Sequence, residues 1–433
     1  MERPDELYQS PDYKRPRMAY LLECAFEYFT AILVTDAFLA KVLSYMGLSD
    51  SLIGIISTFV TLACVFQLFA MLAVQRIVNT KRYVVFFHML GRVLFGALFL
   101  MPLLPLDPKY KGFIVAACVL VAYFGHHMAC TVLFRWGNAY VDPHKRASFS
   151  ATKEVVSLTI GMGVTLGMGY LLDVFEANND LQTGFLYCAI AIFLFSACDL
   201  ICILSIKNDK KPKEKLEVVP FKEVLRNTLG VKAFRYMLVV STLYNAAIFT
   251  TLGFMGTYRI NPDELAFSVG TVQIFNILGL GARFLLTKPF GKFADRTSFA
   301  KGIKFGMVLS AIAFGSVIFT VPESRWLIVI FTIGYNASQA GTGQNFLNST
   351  YSYVDKRYFV EATAIKSVVG GLCGFLMSLV SGEILAAIQA NGNVFLGIPV
   401  YGQQVLSVLT TAGIVTCILI LHFVVEKQKV LVQ

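Results

Sequence analysis

Charged residues are scarce in this sequence of 433 residues. Only 15% are Asp, Glu, Lys or Arg, whereas 56% are hydrophobic and the mean hydropathy is +0.65. Soluble domains average about 25% charged residues, so this chain has too few to cover a water-facing surface. The scarcity excludes an ordinary soluble domain and indicates a membrane protein.

Several motifs are missing as well. Alternating ten-residue strands, the mark of an outer-membrane barrel, do not occur. A Walker-type phosphate loop is absent, which excludes ATP as the direct energy source. The nine cysteines have no C-x-x-C spacing, and there is no H-E-x-x-H motif, so the sequence predicts neither a metal site nor a cofactor. Residues 1–17 are charged, and the first apolar run is too long for a cleavable signal peptide.

Long apolar runs are present along the whole chain. Each approaches the ~20 residues with which a helix crosses a ~30 Å hydrocarbon core. The sequence therefore predicts an all-α polytopic membrane protein with twelve transmembrane helices. They are expected at about 18–45, 50–74, 83–104, 113–141, 154–173, 184–206, 234–258, 266–287, 305–321, 326–351, 361–387 and 401–425.

The distribution of lysine and arginine predicts the orientation. With both termini in the cytoplasm, inner segments hold 27 of the 37 basic residues, outer segments hold 4, and 6 lie inside spans. This asymmetry also accounts for the net charge of +10, so the basic pI indicates topology and lipid headgroups rather than nucleic acid. We expect a monomeric, multi-pass protein of the cell membrane whose partners are lipids, a small solute and protons.

The two halves of the chain form an internal repeat. At an offset of 213 residues, ten of the 31 positions between 140 and 170 are identical to their partners, including Tyr140-Val141-Asp142 with Tyr353-Val354-Asp355. Six spans return the chain to the same side, so the halves run parallel, as in one known transporter architecture. The predicted domains are a tail (1–17), a six-helix bundle (18–206), a basic linker with an amphipathic helix (207–233), a second six-helix bundle (234–425) and a tail (426–433).

Two loops resemble those of a known family. The stretch GKFADRTSFAK at 291–301 resembles the G-x-x-x-D-R-x-G-R-K loop of the major facilitator superfamily, and DPHKRA at 142–147 resembles its P-x-x-x-R-G loop. This resemblance implies two pseudo-symmetric six-helix bundles that transport by alternating access. It also implies a cytoplasmic gate that includes Gly291, Asp295, Arg296 and Arg146, with Asp295 acting near the start of span 5.

The chain departs from the family pattern in two places. The first-half loop, QRIVNTKR at 75–82, lacks the leading glycine and the aspartate, so one of the two gate loops is degenerate. Span 5 contains Gly161, Gly163, Gly167 and Gly169 but no Gly-Pro step, so the antiporter signature is incomplete. This argues against drug–proton exchange, and the glycines are interpreted as close helix packing.

The first span carries carboxylates at membrane depth. At 1.5 Å per residue, Glu23 lies roughly 7 Å deep and Glu27 roughly 13 Å deep, about 40° apart on one stripe of the helix. Asp36 and Lys41 reach the far interface. An intramembrane carboxylate needs water or a partner and is a functional hypothesis by default. We therefore predict that Glu27 carries a proton, together with Glu23 and His127.

Span 4 offers a partner for these carboxylates. Arg135 is predicted roughly 7 Å deep, level with Glu23, and His127, Arg135 and Asn138 share a sector of about 80° on the helix. The sequence predicts that Arg135 forms a charge pair with this stripe. Metal binding by His126 and His127 is not predicted, because adjacent helical residues point about 100° apart.

The resemblance places spans 1, 4, 7 and 10 around a central cavity. Polar side chains on these spans are the predicted solute contacts, and helix–helix hydrogen bonding is their alternative role. They are Asn138, Tyr244, Asn245, Thr251, Tyr258, Asn336, Gln339, Gln344, Asn345 and Asn348. Spans 3, 6, 9 and 12 are mostly aliphatic, and Arg92, Asp199 and His422 on them have no role assigned.

The favoured function is a secondary transporter that moves a small polar organic solute, such as a sugar, by proton symport. A peptide or an organic acid would also suit the lining. The alternatives are an exporter of amphipathic cations by proton antiport, an intramembrane enzyme, and a sensor derived from a transporter.

Overall fold

The computed structural model describes residues 8, 10–74, 77, 79–142, 146–207 and 221–427, and the chain within these ranges is almost entirely helical. Residues 1–7, 9 and 428–433 of the predicted tails, residues 208–220 of the predicted linker, and parts of the loops at 75–82 and 142–147 lie outside the described residues. The α-helices are α1 Pro11–Leu33, α2 Asp36–Tyr45, α3 Asp50–Ser57, α4 Phe59–Leu62, α5 Phe66–Val74, α6 Thr80–Leu98, α7 Pro108–Asn138, α8 Arg146–Ala177, α9 Leu181–Ser205, α10 Phe221–Leu229, α11 Lys232–Thr251, α12 Met255–Ile260, α13 Val269–Arg296, α14 Phe299–Val317, α15 Ile328–Tyr353, α16 Phe359–Ala390 and α17 Gly402–Ile420.

Most of the described helices could cross a membrane. Nine spans pass by length and apolar composition, and ten if the bent pair α1 and α2 forms one span. The remaining two predicted spans correspond to α6 and α15, which are helical but polar. Helix α6 carries Lys81, Arg82 and Arg92, and α15 carries a series of Asn and Gln side chains. The structure thus confirms a helical membrane protein and is consistent with twelve helices.

The first span is broken, which the sequence pattern did not predict. Helix α1 ends at Leu33 and α2 begins at Asp36, and the two axes are bent by 45°. Asp36 has a positive φ of 52°, and the Thr35 hydroxyl donates to the carbonyl oxygen of Ala31. Beyond the break, the Lys41 ammonium pairs with Glu176 on α8 at 2.5 Å.

The chain forms two compact units. The first unit consists of Met1–Leu48 and Phe66–Leu216, and the second consists of Ser49–Val65 and Glu217–Gln433. The segment 49–65 therefore groups with the second half of the sequence, although the residues on both sides of it belong to the first unit.

Small and hydroxyl side chains explain how segment 49–65 packs in the second unit. The Ser51 hydroxyl donates to the carbonyl oxygen of Gly382 at 2.8 Å, and the hydroxyls of Thr58 and Ser378 are 2.7 Å apart. A Cβ on Gly371 would lie only 2.4 Å from the carbonyl oxygen of Thr61. Small residues let helix backbones approach closely in membranes, where apolar burial alone does not drive helix association.

A short hairpin follows α16. Strands β1 (Val394–Phe395) and β2 (Ile398–Pro399) pair antiparallel around a two-residue turn. Both turn residues, Leu396 and Gly397, have positive φ, which matches the twist of a tight hairpin.

Candidate functional site

A close crossing of α6 and α7 positions the site in the first unit. A Cβ on Gly91 would lie 2.8 Å from the carbonyl oxygen of Ala122, and a Cβ on Gly125 would lie 2.5 Å from that of Phe87. Only glycine permits so close an approach at both positions. Because Arg92 and His126 directly follow these two glycines, the crossing brings both side chains to the same region of the bundle.

Glu27 on α1 has two basic side chains as partners there. Its Oε1 is 3.2 Å from Nη2 of Arg92 and 3.0 Å from Nδ1 of His126. The Glu27 side chain keeps 23% of its surface exposed and His126 keeps 31%, whereas Arg92 keeps only 3%. The carboxylate is therefore the accessible side of an ion pair whose guanidinium is buried.

Arg92 also contacts a second pair, formed by a histidine and an aspartate. Oδ2 of Asp199, on α9, is 3.4 Å from Nε of Arg92 and 2.5 Å from Nε2 of His88. The side chains of His88 and Asp199 are each 1% exposed. Together, Glu27, His88, Arg92, His126 and Asp199 form what we call the buried charge network, which runs from an accessible end at Glu27 to a sealed end at Asp199.

Glu23 lies one turn before Glu27 and is fully buried. Its Oε2 accepts a hydrogen bond from the thiol of Cys24 at 3.2 Å, and its Oε1 has no hydrogen-bond partner among the described residues. The carboxyl group of Glu23 is therefore sealed from solvent, and its one hydrogen bond among the described residues is to its neighbour in the chain.

Two groups of side chains come close enough to hold a metal ion: Glu23 with His88 and Asp199, and His126 with His127 and Cys130. In the first group the guanidinium of Arg92 lies 3.3 Å from Nε2 of His88, and this permanent positive charge disfavours a cation. In the second group both Nδ1 atoms are engaged, that of His126 with Glu27 and that of His127 with Gln67 at 3.1 Å. We interpret both groups as hydrogen-bonding and charge-pairing arrangements.

The other predicted residues of span 4 are placed only in part. The Arg135 side chain lies outside the described part of the structure, so its predicted pairing with Glu23 and Glu27 stays a prediction. Nδ2 of Asn138 donates to the carbonyl oxygen of Phe134 in the same helix.

In the second unit, the predicted hydroxyl contacts bind within the bundle. The Tyr244 hydroxyl pairs with Ser310 at 2.6 Å, that of Thr251 with Thr410 at 2.7 Å, and that of Tyr258 donates to the carbonyl oxygen of Thr320 at 2.5 Å. All three side chains are buried. Their geometry corresponds to the alternative role of these residues, helix–helix hydrogen bonding.

The predicted amides mostly bond to their own helices. Asn245, Asn336 and Asn345 each donate to the carbonyl oxygen four residues earlier, at 2.7 to 2.9 Å. Gln339 and Asn348 are half-buried, and the side chain of Gln344 lies outside the described part. These positions stay predicted solute contacts.

The gate residues lie at the ends of helices. Asp295 and Arg296 are exposed in the last turn of α13, and a Cβ on Gly291 would meet no atom within 4 Å. Arg146 is the first residue of α8, with a side chain outside the described part. Their role as a cytoplasmic gate stays a prediction.

Four members of the buried charge network were not assigned from the sequence: His88, Arg92, His126 and Asp199. A signal for them exists. His88 and Arg92 are spaced i, i+4 on one helical face, and an Asp in an otherwise aliphatic span requires a cationic or donor partner. The sequence does not show which helix carries that partner.

A second acidic cluster lies in the second unit, in the loop between α12 and α13. Glu264 is 4% exposed, and both of its oxygens accept from Nε2 of Gln403 at 3.1 and 3.3 Å. Nearby, Oδ2 of Asp50 accepts from Asn261 and Gln389 at 3.1 and 2.9 Å. Burial, with the negative charge of Asp50, raises the pKa of Glu264 to about 8.

This pKa predicts a pH-dependent stability. The ordinary value for Glu is 4.5, so between pH 4.5 and about 8 the folded protein binds a proton that the unfolded chain releases. The stability linked to Glu264 is fully present below pH 4.5 and is lost progressively as the pH rises to about 8. We expect the apparent melting temperature of the purified protein to fall over this range and Glu264→Gln to flatten the profile. The exposed Glu323 provides the control, since Glu323→Gln should keep the wild-type slope; a slope equally steep in Glu264→Gln would contradict the assignment.

These features define a helical membrane protein with charged groups buried inside one bundle. The family model of the Major Facilitator Superfamily matches residues 19–382, so the chain belongs to this superfamily and is a membrane transporter rather than an enzyme. No curated protein matches the sequence.

Solved structures of similar fold cover nearly the whole chain. The nucleoside transporter NupG has a TM-score of 0.67 and 13% identity, over 97% of this chain and 100% of that chain. An autoinhibited POT family peptide transporter has a TM-score of 0.72 and 12% identity, over 96% and 97%. A bacterial homologue of the iron transporter ferroportin, in an inward-facing state, has a TM-score of 0.69 and 10% identity, over 95% and 98%. Identities this low establish the fold alone.

Proposed function

We propose that this transporter moves a small polar organic solute, such as a sugar, by proton symport and alternating access in the plasma membrane. The observation that carries the proposal is the ion pair of Glu27. A carboxylate on a membrane helix, paired with a buried guanidinium and still accessible at one side, can bind and release a proton as its pairing changes.

The surroundings of Glu27 favour protons as the coupling ion. Desolvation penalises the charged carboxylate, whereas Arg92 and His126 stabilise it, so a small change in their distance moves the balance between the two forms. His126 is the more exposed of the two partners, so the accessible side of Glu27 faces a side chain that also contacts solvent. Coupling therefore needs no covalent chemistry, only a conformational change that separates these groups.

The test is uptake into proteoliposomes that contain the purified full-length protein. The panel includes sugars, organic acids, nucleosides, small peptides, amphipathic cations and ferrous iron, each with and without an acidic outside. We expect one class of polar organic solute to accumulate above its outside concentration only with the gradient, and a protonophore to abolish this. Accumulation of amphipathic cations under the opposite gradient would instead indicate antiport, and uptake unaffected by any gradient would overturn proton coupling.

Orientation is checked on the same vesicles. Single cysteines at Asn79 and Asn391 should be labelled from opposite sides, Asn79 from the cytoplasmic side. Labelling of both positions from one side would contradict the proposed topology, whatever the solute is.

A further inference from the structure

The geometry points to a second residence for the coupling proton, the sealed His88–Asp199 pair, with Arg92 left to Glu27 when that pair holds the proton. His88 and Asp199 are then positioning residues that act on Glu27 through Arg92. The inference rests on the proposed function, because it assigns to that site the residues that control when Glu27 holds its proton.

One guanidinium faces two carboxyl groups in the buried charge network. Arg92 is the only arginine or lysine among the five residues of the network, and its guanidinium contacts Glu27 at 3.2 Å and Asp199 at 3.4 Å. One guanidinium cannot neutralise both the partly exposed Glu27 and the buried Asp199, and an uncompensated buried charge is costly. A proton on one of the two sides removes that cost.

The His88–Asp199 pair contains a short contact. Nε2 of His88 and Oδ2 of Asp199 are 2.5 Å apart, so a proton must lie between the two lone pairs. With that one proton, the ionised Asp199 needs Arg92, whose Nε lies 3.4 Å from the same Oδ2. The second ring nitrogen of His88, Nδ1, can take one additional proton. The imidazolium then neutralises Asp199, and Arg92 is left to Glu27.

The two ends of the network differ in their access to solvent. Glu27 and His126 are partly exposed, whereas His88 and Asp199 are sealed. A proton therefore enters at Glu27; the O–H bond of Glu27 then breaks as an N–H bond forms at Nδ1 of His88. Arg92 then returns to the ionised Glu27, so no charge stays uncompensated at either end.

Other titratable groups face the network from the helices packed around it. On α1 these are Glu23 and Cys24, which bond to each other. On α7 His126 contacts Glu27 directly. On α8 the ammonium of Lys153 lies 5.2 Å from the ring centroid of Tyr20, beyond Cys24. Of these groups, Glu23 has a carboxyl oxygen within 4.8 Å of Asp199 and His88. The contacts that link Asp199 to Glu27 run through Arg92.

The experiment is infrared difference spectroscopy of the purified full-length protein in nanodiscs, titrated with pH in the absence of solute and gradient. The band of the protonated Glu27 carboxyl is identified by its disappearance in Glu27→Gln. Asp199→Asn should move the midpoint of this band to lower pH by about one unit, because Arg92 then belongs to Glu27 alone. His88→Gln keeps a donor to Asp199 but cannot take up a proton. Asp199 then stays ionised and keeps Arg92 as its partner, so the midpoint of the Glu27 band should move to higher pH. Asp199→Glu restores the charge, so the midpoint of the Glu27 band in this variant should lie near that of the wild type.

Opposite shifts in the two variants support the inference, since a merely structural role would not reverse sign. Midpoints that are unchanged in both variants, or that shift in the same direction, would overturn it. If Asp199→Asn does not fold, His88→Gln decides alone: a shift to higher pH supports the inference, and no shift or a shift to lower pH overturns it. Glu176→Gln, which removes the carboxylate that pairs with Lys41 in the same unit, is the matched control and should shift nothing. Because no transport is measured, opposite shifts alongside gradient-independent uptake would refute the proposed function while leaving this pair in place.

Discussion

Glu27→Gln should abolish the accumulation of solute driven by a pH gradient while retaining exchange between equal internal and external pools. Glutamine imitates the protonated carboxyl group at nearly constant volume. It can hydrogen-bond to Arg92 and His126 but cannot release a proton, so the conformational cycle continues without coupling. We expect gradient-driven accumulation to fall by at least about 100-fold, to the level of empty vesicles, because the proton enters the network at Glu27.

The measurement compares uphill uptake with counterflow in the same proteoliposomes. Glu176→Gln again serves as the control, because it removes a carboxylate of the first unit outside the buried charge network and should leave both activities at wild-type levels. If Glu27→Gln still concentrates the solute under a pH gradient, Glu27 is not the proton site, and Glu23 and His127 are the next positions to substitute.

The role of Glu27 is predicted from the sequence by counting residues along the helix, because this count gives the depth of each side chain in the membrane. At 1.5 Å per residue the carboxylate of Glu27 is predicted to lie near the middle of the bilayer, where a charge requires a partner. The partner is harder to predict. Arg135 has a suitable depth, but Arg92 and His126 are the basic side chains that the structure describes beside Glu27. Counting residues gives the depth of a side chain in the membrane but does not show which helix faces it. Here the close crossing of α6 and α7 at Gly91 and Gly125 determines that helix.

The same distinction applies to the fold. Apolar runs and the 213-residue repeat predict a helical membrane protein, because hydrophobic length and similarity are properties of the sequence alone. The break at Val34–Thr35 depends on a positive φ at Asp36, and the grouping of segment 49–65 depends on Gly371 and Gly382 meeting it. Likewise Tyr244 and Thr251 are polar side chains on a predicted cavity helix, and only the positions of Ser310 and Thr410 reveal their bonds within the bundle. Such features follow from packing between distant segments.

Arg92→Met should be the most destabilising substitution in the first unit. It removes the guanidinium that Glu27 and Asp199 share, and breaking a buried ion pair by deleting one partner costs about 3 to 5 kcal/mol. We expect the apparent melting temperature in detergent to fall by at least about 5 °C, and pH-driven uptake to be lost with it.

The physical cause is tested by removing the orphaned charges as well. In the triple variant Arg92→Met, Glu27→Gln, Asp199→Asn, neutral amides no longer need a counter-charge, and replacing a whole buried ionic group is often close to neutral. The melting temperature should therefore recover most of its loss, whereas uptake should not recover. Arg325→Met is the matched control, because that guanidinium lies over the rings of Phe267 and Trp326 and its removal should cost only about 1 kcal/mol. Arg92→Met melting at the wild-type temperature, or the triple variant melting below Arg92→Met, would show that the guanidinium does not compensate these two carboxylates.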